Sequence, residues 1–186
     1  MMSPAMDDRF DPAIRIVDYD PTWPARAAEE IDRIETALGS IAMRLDHVGS
    51  TAVPGLAAKP ILDLQVSVAA IDRRELYVEP LERVGYLFVP VPESPDFHFF
   101  GKPHERPRSY HVHVCEARSR HELRHLAVRD FLRADHAEAT AYAVLKRELA
   151  ARHPQDRLAY MEGKASYMRD IEARALEWAR GRASWR

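Results

Sequence analysis

The sequence predicts an α+β or α/β fold, with a mixed sheet flanked by helices and a helical C-terminal third. Short apolar segments punctuated by Gly and Pro occupy the first two-thirds of the 186-residue chain, as strands do. A helix-length segment, 74–84, separates two of them. From Arg118 onward the apolar residues recur at intervals of three and four, the period of a helix face.

The elements follow in order. Ile14, Ile16 and Val17 predict a short strand, and Thr22 or Asp20, beside Pro21 and Pro24, starts a helix that runs to Leu38 and stops at Gly39. Met43, Leu45 and Val48, interleaved with Arg44, Asp46 and His47, predict a strand that breaks at Gly49. Ile61, Leu62, Leu64, Val66 and Val68 make a nearly continuous apolar run, as expected of a strand buried on both faces. The helix over 74–84 ends at Gly85, and a strand over 86–89 is stopped by Pro90, Pro92 and Pro95. A short strand over 97–100 leads to a basic loop with Lys102, His104, Arg106 and Arg108, then to a strand over 110–114. Leu123, Leu126, Ala127 and Phe131, then Tyr142, Leu145 and Leu149, then Leu158, Met161, Ala165, Met168, Ile171 and Leu176 mark the core faces of three helices.

Composition narrows the class of function. With 27 Lys and Arg against 29 Asp and Glu, the chain has no basic footprint for nucleic acid. Cys115 stands alone, so neither a disulfide framework nor a cysteine zinc site forms within one chain, and a reducing, cytoplasmic location is expected. Residues 1–12 are polar and are expected to fray, and no run reaches membrane-spanning length. Residues 13–186 are expected to form a single domain, whose partner is a small molecule.

The chemistry concentrates in 45–68, LDHVGSTAVPGLAAKPILDLQVSV. At Gly49 the absent side chain lets backbone approach a ligand closely, and Ser50 and Thr51 supply hydroxyl and N–H donors at the strand's end. Asp63 interrupts the apolar run that follows. A carboxylate taken out of water needs a partner, a hydrogen-bond network or a metal, because an unpaired buried charge costs several kcal/mol in practice. Lys59 sits at the entrance of that strand, where it neutralises a phosphate or is simply solvated. In Tyr110-His111-Val112-His113-Val114, alternation puts both imidazoles on one face, suited to a transition metal or, when protonated, to phosphate. Arg129 and Asp130 read as a structural salt bridge, Cys115 as a small buried hydrophobe, and His121 with His125 as an i, i+4 pair lacking a third recognisable ligand.

Four segments carry a wider resemblance: Val17-Asp18-Tyr19-Asp20-Pro21-Thr22-Trp23-Pro24, the block 47–60 with Ile61-Leu62-Asp63, the histidine strand, and Arg129-Asp130-Phe131-Leu132-Arg133. Together they resemble the GrpB family, which looks like a branch of the nucleotidyltransferase-fold superfamily. That superfamily pairs a Gly-Ser turn with a strand bearing two acids spaced D-x-D or D-x-E and a third acid on a later strand, holding two metals. Gly49, Ser50 and Asp63 match. Gln65 stands where the second acid falls, able to coordinate through its carbonyl oxygen but adding no charge, and histidines occupy the later strand. Lys164, in Tyr160-Met161-Glu162-Gly163-Lys164, resembles a lysine that recurs in the family's C-terminal helix and reaches back over the site.

The resemblance implies a protein that binds a nucleotide or phosphorylated metabolite. Gly49, Ser50, Thr51, Lys59, Arg108 and Lys164 would hold phosphate, and Asp63 with Gln65 would hold Mg²⁺ or Mn²⁺. Three readings follow: nucleotidyl transfer to a small acceptor, binding without chemistry, and hydrolysis at a transition metal held by Asp63, His111 and His113.

Overall fold

The computed structural model describes residues 13–91, 94–104 and 107–182. The expected fraying of 1–12, along with Pro92 and Arg106, lies outside the described residues.

Five strands form one mixed sheet: β1 (Arg44–Val48), β2 (Leu62–Val68), β3 (Leu87–Val89), β4 (Phe97–Lys102) and β5 (Tyr110–Glu116), ordered β1-β2-β5-β4-β3. Only the β2–β5 pair is parallel. It aligns Asp63 with His111 and Gln65 with His113, so the period-2 alternation of both strands puts these four side chains on one face. Leu62, Leu64, Val66 and Val68 take the other face with Val112 and Val114, all essentially buried.

That apolar face packs on α1 (Trp23–Leu38) and α2 (Val78–Arg83). In α1 the buried residues Trp23, Ala27, Glu30, Ile34 and Leu38 follow the helix period, and Gly39 ends it at φ +54. Glu30 is the charged member of that stripe. It accepts from Tyr86 Oη at 3.1 Å and Lys102 Nζ at 2.7 Å, so Lys102 serves this structural ion pair on the far side of the sheet from the histidines.

The polar face is roofed by the predicted three helices, α3 (Arg120–Ala134), α4 (His136–Arg152) and α5 (Arg157–Arg180). They have a core of their own around Phe131, Leu132, Tyr142 and Ile171, shared with Val53 and Leu56 of the β1–β2 connection. Ser119, Asp135 and Asp156 cap the three helices by accepting from the backbone N–H three residues on.

Two expected elements differ. The 74–84 helix is a 3₁₀ turn, Arg74–Leu76, followed after Tyr77 by α2, because Pro80 lacks an N–H and its ring collides with the carbonyl four residues back. Ile14, Ile16 and Val17 make no strand. Val17 forms a two-bond bridge with Ala58, and Ile14 N–H donates to Pro154 O, tying this segment between the pre-β2 loop and the helical third. Among the described residues no helix is long and apolar enough to cross a membrane.

Candidate functional site: a cation-rich pocket between sheet and helices

A cavity of about 460 Å³ lies where the polar face of the sheet meets α4 and α5. Gly49, Ser50 and Thr51 line it from the turn after β1, Lys59 from the following loop, Asp63, His111 and His113 from the sheet. Lys146 and Tyr142 enter from α4, and Arg157, Tyr160, Lys164 and Glu172 from α5.

The floor is organised by Asp63. Its Oδ1 lies 3.3 Å from His111 Nδ1 and 3.7 Å from His113 Nε2, and 32% of its side chain stays open to the pocket. Burial alone would raise this carboxyl, but the imidazole N–H groups outweigh it and hold the carboxyl well below the usual range. His111 is itself drawn down by burial, so a neutral ring donates to a charged carboxylate. Gly49 completes the arrangement. A Cβ built on it would stand 2.6 Å from Asp63 Oδ2, and its φ is +70. The close approach expected at this glycine is therefore to Asp63.

Behind the floor, Gln65 is fully buried and its Oε1 faces His125 Nδ1 at 3.1 Å. His125 packs edge-on against His121 with ring centroids 4.3 Å apart, and His121 stacks on Phe97 at 4.4 Å. Burial pushes the His121 imidazole down to about 3 and His125 well below its ordinary value. These rings form a neutral, wedge-like layer between β5 and α3.

The roof and walls are cationic. Lys59 Nζ and Lys164 Nζ both lie over the ring of Tyr160, at 4.9 and 5.4 Å from its centroid. Lys146, 3% exposed, donates from Nζ to Ser50 Oγ at 3.0 Å and to Ala57 O at 2.5 Å, with the Tyr142 ring 4.4 Å away. Burial, then the nearby Lys164 and Arg147 charges, pull its ammonium down to about 7. Glu172 is paired with Arg124 at 3.5 Å. Among the described residues, four basic side chains thus face two carboxylates, each of which already has a partner.

Most of the sequence-derived site residues converge here, with two exceptions. Gln65 does not line the cavity. Arg108, 3% exposed, packs its guanidinium against Gly101, where a Cβ would come within 2.6 Å of it, and it too is absent from the lining. Thr51 lines the pocket while its hydroxyl contacts His47 Nε2 at 2.9 Å. Arg129 bridges Asp130 at 2.7 Å and Asp46 at 3.0 Å, the structural role read from its neighbours. Cys115 is fully buried and its thiol is pushed up to about 12.

The donor set differs from the two-metal, three-acid arrangement of the nucleotidyltransferase superfamily. Magnesium in such sites is held by one or two carboxylates together with substrate phosphates; here Asp63 is flanked by imidazoles, Glu172 is paired with Arg124, and the Gln65 carbonyl is turned to His125. Among the described residues no group of three or more His, Cys, Asp and Glu side chains is arranged to hold a metal ion.

The family profile described as GrpB protein matches residues 13–174. The chain belongs to the GrpB family. It is 40% identical to UPF0157 protein PA4798 of Pseudomonas aeruginosa, over 94% of this chain and 71% of that protein. It is 34% identical to UPF0157 protein YqkA of Bacillus subtilis, over 91% of this chain and 49% of the relative. A protein named dephospho-CoA kinase from Mycolicibacterium paratuberculosis is 33% identical over 89% of this chain and 47% of its own length. This GrpB chain thus spans about half the length of the last two relatives. The crystal structure of conserved protein GrpB from Enterococcus faecalis superposes with a TM-score of 0.81 at 35% identity, covering 88% of this chain and 98% of that one. The GrpB fold is nucleotidyltransferase-like, with the Gly49-Ser50 turn and Asp63 on adjacent strands.

Proposed function

We propose that the pocket binds the phosphate of a nucleotide or phosphorylated metabolite through its cations and the Ser50 turn, without a resident metal. The observation that carries this reading is the convergence of Lys59, Lys146, Arg157 and Lys164 on one cavity where, among the described residues, the lining carboxylates Asp63 and Glu172 are already paired. Charge-assisted hydrogen bonds to an anion are worth more than neutral ones, and most in a partly desolvated site. The Tyr160 and Tyr142 rings, with Met161 and Met168, give an apolar wall for the rest of the ligand.

Nucleotidyl transfer with Mg²⁺ or Mn²⁺ is the alternative that the nucleotidyltransferase-like fold favours, with Asp63 as the metal anchor. Thermal unfolding separates the two. A panel of nucleoside triphosphates, sugar phosphates and dephospho-CoA, the last chosen from the name of one relative, is screened with EDTA and with Mg²⁺. A ligand at about 100 times its Kd adds about 2.7 kcal/mol, roughly 5–10 °C for a domain of this size. The proposed function expects a shift in EDTA that survives Asp63→Asn. A shift that needs metal and disappears in Asp63→Asn supports the transferase reading instead.

A further inference from the structure

Lys146 is the lysine of this pocket most deeply enclosed, and its partners are unlike those of a structural lysine. Its Nζ meets a hydroxyl and a carbonyl, Ser50 Oγ and Ala57 O, and among the described residues no carboxylate lies within ion-pair distance of it. The groups facing it come from three directions. Ser50 and Ala57 come from the β1–β2 connection, Tyr142 and Arg147 from its own helix, and Lys164 and Tyr160 from α5, with Asp63 on the sheet below Lys164. A buried ammonium without a counter-ion is costly, and the adjacent Lys164 charge adds to the cost.

Resting on the anion-binding reading above, we propose that Lys146 makes this binding proton-coupled: above neutral pH the free pocket holds Lys146 as a neutral amine, and a doubly charged phosphate-type group arriving at Ser50 is bound together with one proton taken up by that amine. Ser50 transmits the change. A neutral amine keeps a lone pair that accepts the Ser50 O–H, beside the Tyr142 hydroxyl that also meets Ser50, leaving the Ser50 hydroxyl with lone pairs for the ligand. A protonated amine has no lone pair, so it donates to Ser50 Oγ and turns the Ser50 O–H outward as a donor to the anion. The proton leaves solvent and ends on Lys146 Nζ, and no covalent bond forms or breaks. The drawn-down ammonium described above agrees with this, because it puts the amine's titration inside the physiological range.

Sulfate is the probe, since it stays a dianion across the pH range used. Calorimetry from pH 6 to pH 9, in buffers of different ionisation enthalpy, reads both Kd and proton uptake. For a group titrating near 7 in the free protein, one-proton linkage raises Kd about 100-fold over this range, with uptake of about 0.1 proton at pH 6 and about 0.9 at pH 8. Lys146→Arg, which keeps its charge, removes the pH dependence. The lysine ¹³Cε resonances of the wild-type protein, titrated without ligand, give a second readout that needs no variant. A Lys146 midpoint near 7 that rises when sulfate saturates the protein supports the coupling. A Lys146 midpoint near 10, or sulfate binding that is flat in pH, overturns the coupling and leaves the anion pocket standing. No sulfate binding at pH 6 overturns the pocket's proposed function and the coupling with it.

Discussion

Gly49 and Asp63 are packed so closely that a single methyl on Gly49 would stand 2.6 Å from the Asp63 carboxylate. The Gly-Ser turn and the acid of the neighbouring strand are therefore one structural unit, and the turn's shape depends on the carboxylate beneath it. Gly49→Ala combines this clash with a φ of +70, and is expected to destabilise the protein by about 2 kcal/mol or more. Urea unfolding reads the loss. Gly55, also at positive φ but with open space around it, should tolerate alanine better by comparison.

Lys59 and Lys164 flank Tyr160 from opposite chain segments. Replacing either by Met should leave the fold intact and weaken a phosphate ligand about 10-fold or more, the worth of one charge-assisted hydrogen bond. Titration calorimetry with the ligand found by thermal screening checks it, and circular dichroism confirms the fold.

The histidine layer makes stability depend on acid. His121 titrates near 3 when folded, against an ordinary value of 6.5, and His125 is also well below 6.5. Between those limits the unfolded chain binds protons that the folded chain refuses, so unfolding free energy falls as pH falls below about 6.5. Well inside that window His121 contributes about 1.4 kcal/mol per pH unit, and His125 acts in the same direction. Comparing unfolding at pH 7 and pH 5 should show the loss, and His121→Phe, which keeps a ring stacked on Phe97, should reduce the slope by about one proton.

Helix α4 carries Lys146 to the pocket, and its start is fixed by Asp135, whose Oδ1 accepts from Glu138 N–H at 2.9 Å. Asp135→Ala should cost about 1 kcal/mol, measured by thermal unfolding, without abolishing ligand binding.

Much of the site was legible from local pattern, and the rest was hidden by its dependence on tertiary contact. Asp63 announces itself as an acid in an apolar run, and the alternation of the histidine strand puts His111 and His113 together. The parallel β2–β5 register that brings the two strands side by side is a long-range pairing that no local signal encodes. Lys146 belongs to no motif, although a signal exists: it stands in the stripe Ala139, Tyr142, Lys146, Leu149, a lysine at a buried helical position. Arg108 reads as a ligand-facing cation because it lies in a basic loop, but the side-chain-free Gly101 gives its guanidinium a place to pack. Pro80 was a visible break in the 74–84 segment, and its clash with the preceding turn sets where α2 begins.

The central claim is that cations, and not a bound metal, make this pocket a phosphate site. Calorimetric titration of the wild type and of the Lys59→Met, Lys164→Met double variant with ATP, in EDTA at pH 6.5, tests it most directly. The account predicts saturable binding by the wild type in EDTA and its loss in the double variant. Absence of binding until Mg²⁺ is supplied, with loss of that binding in Asp63→Asn, would contradict it and return Asp63 to the role of metal anchor.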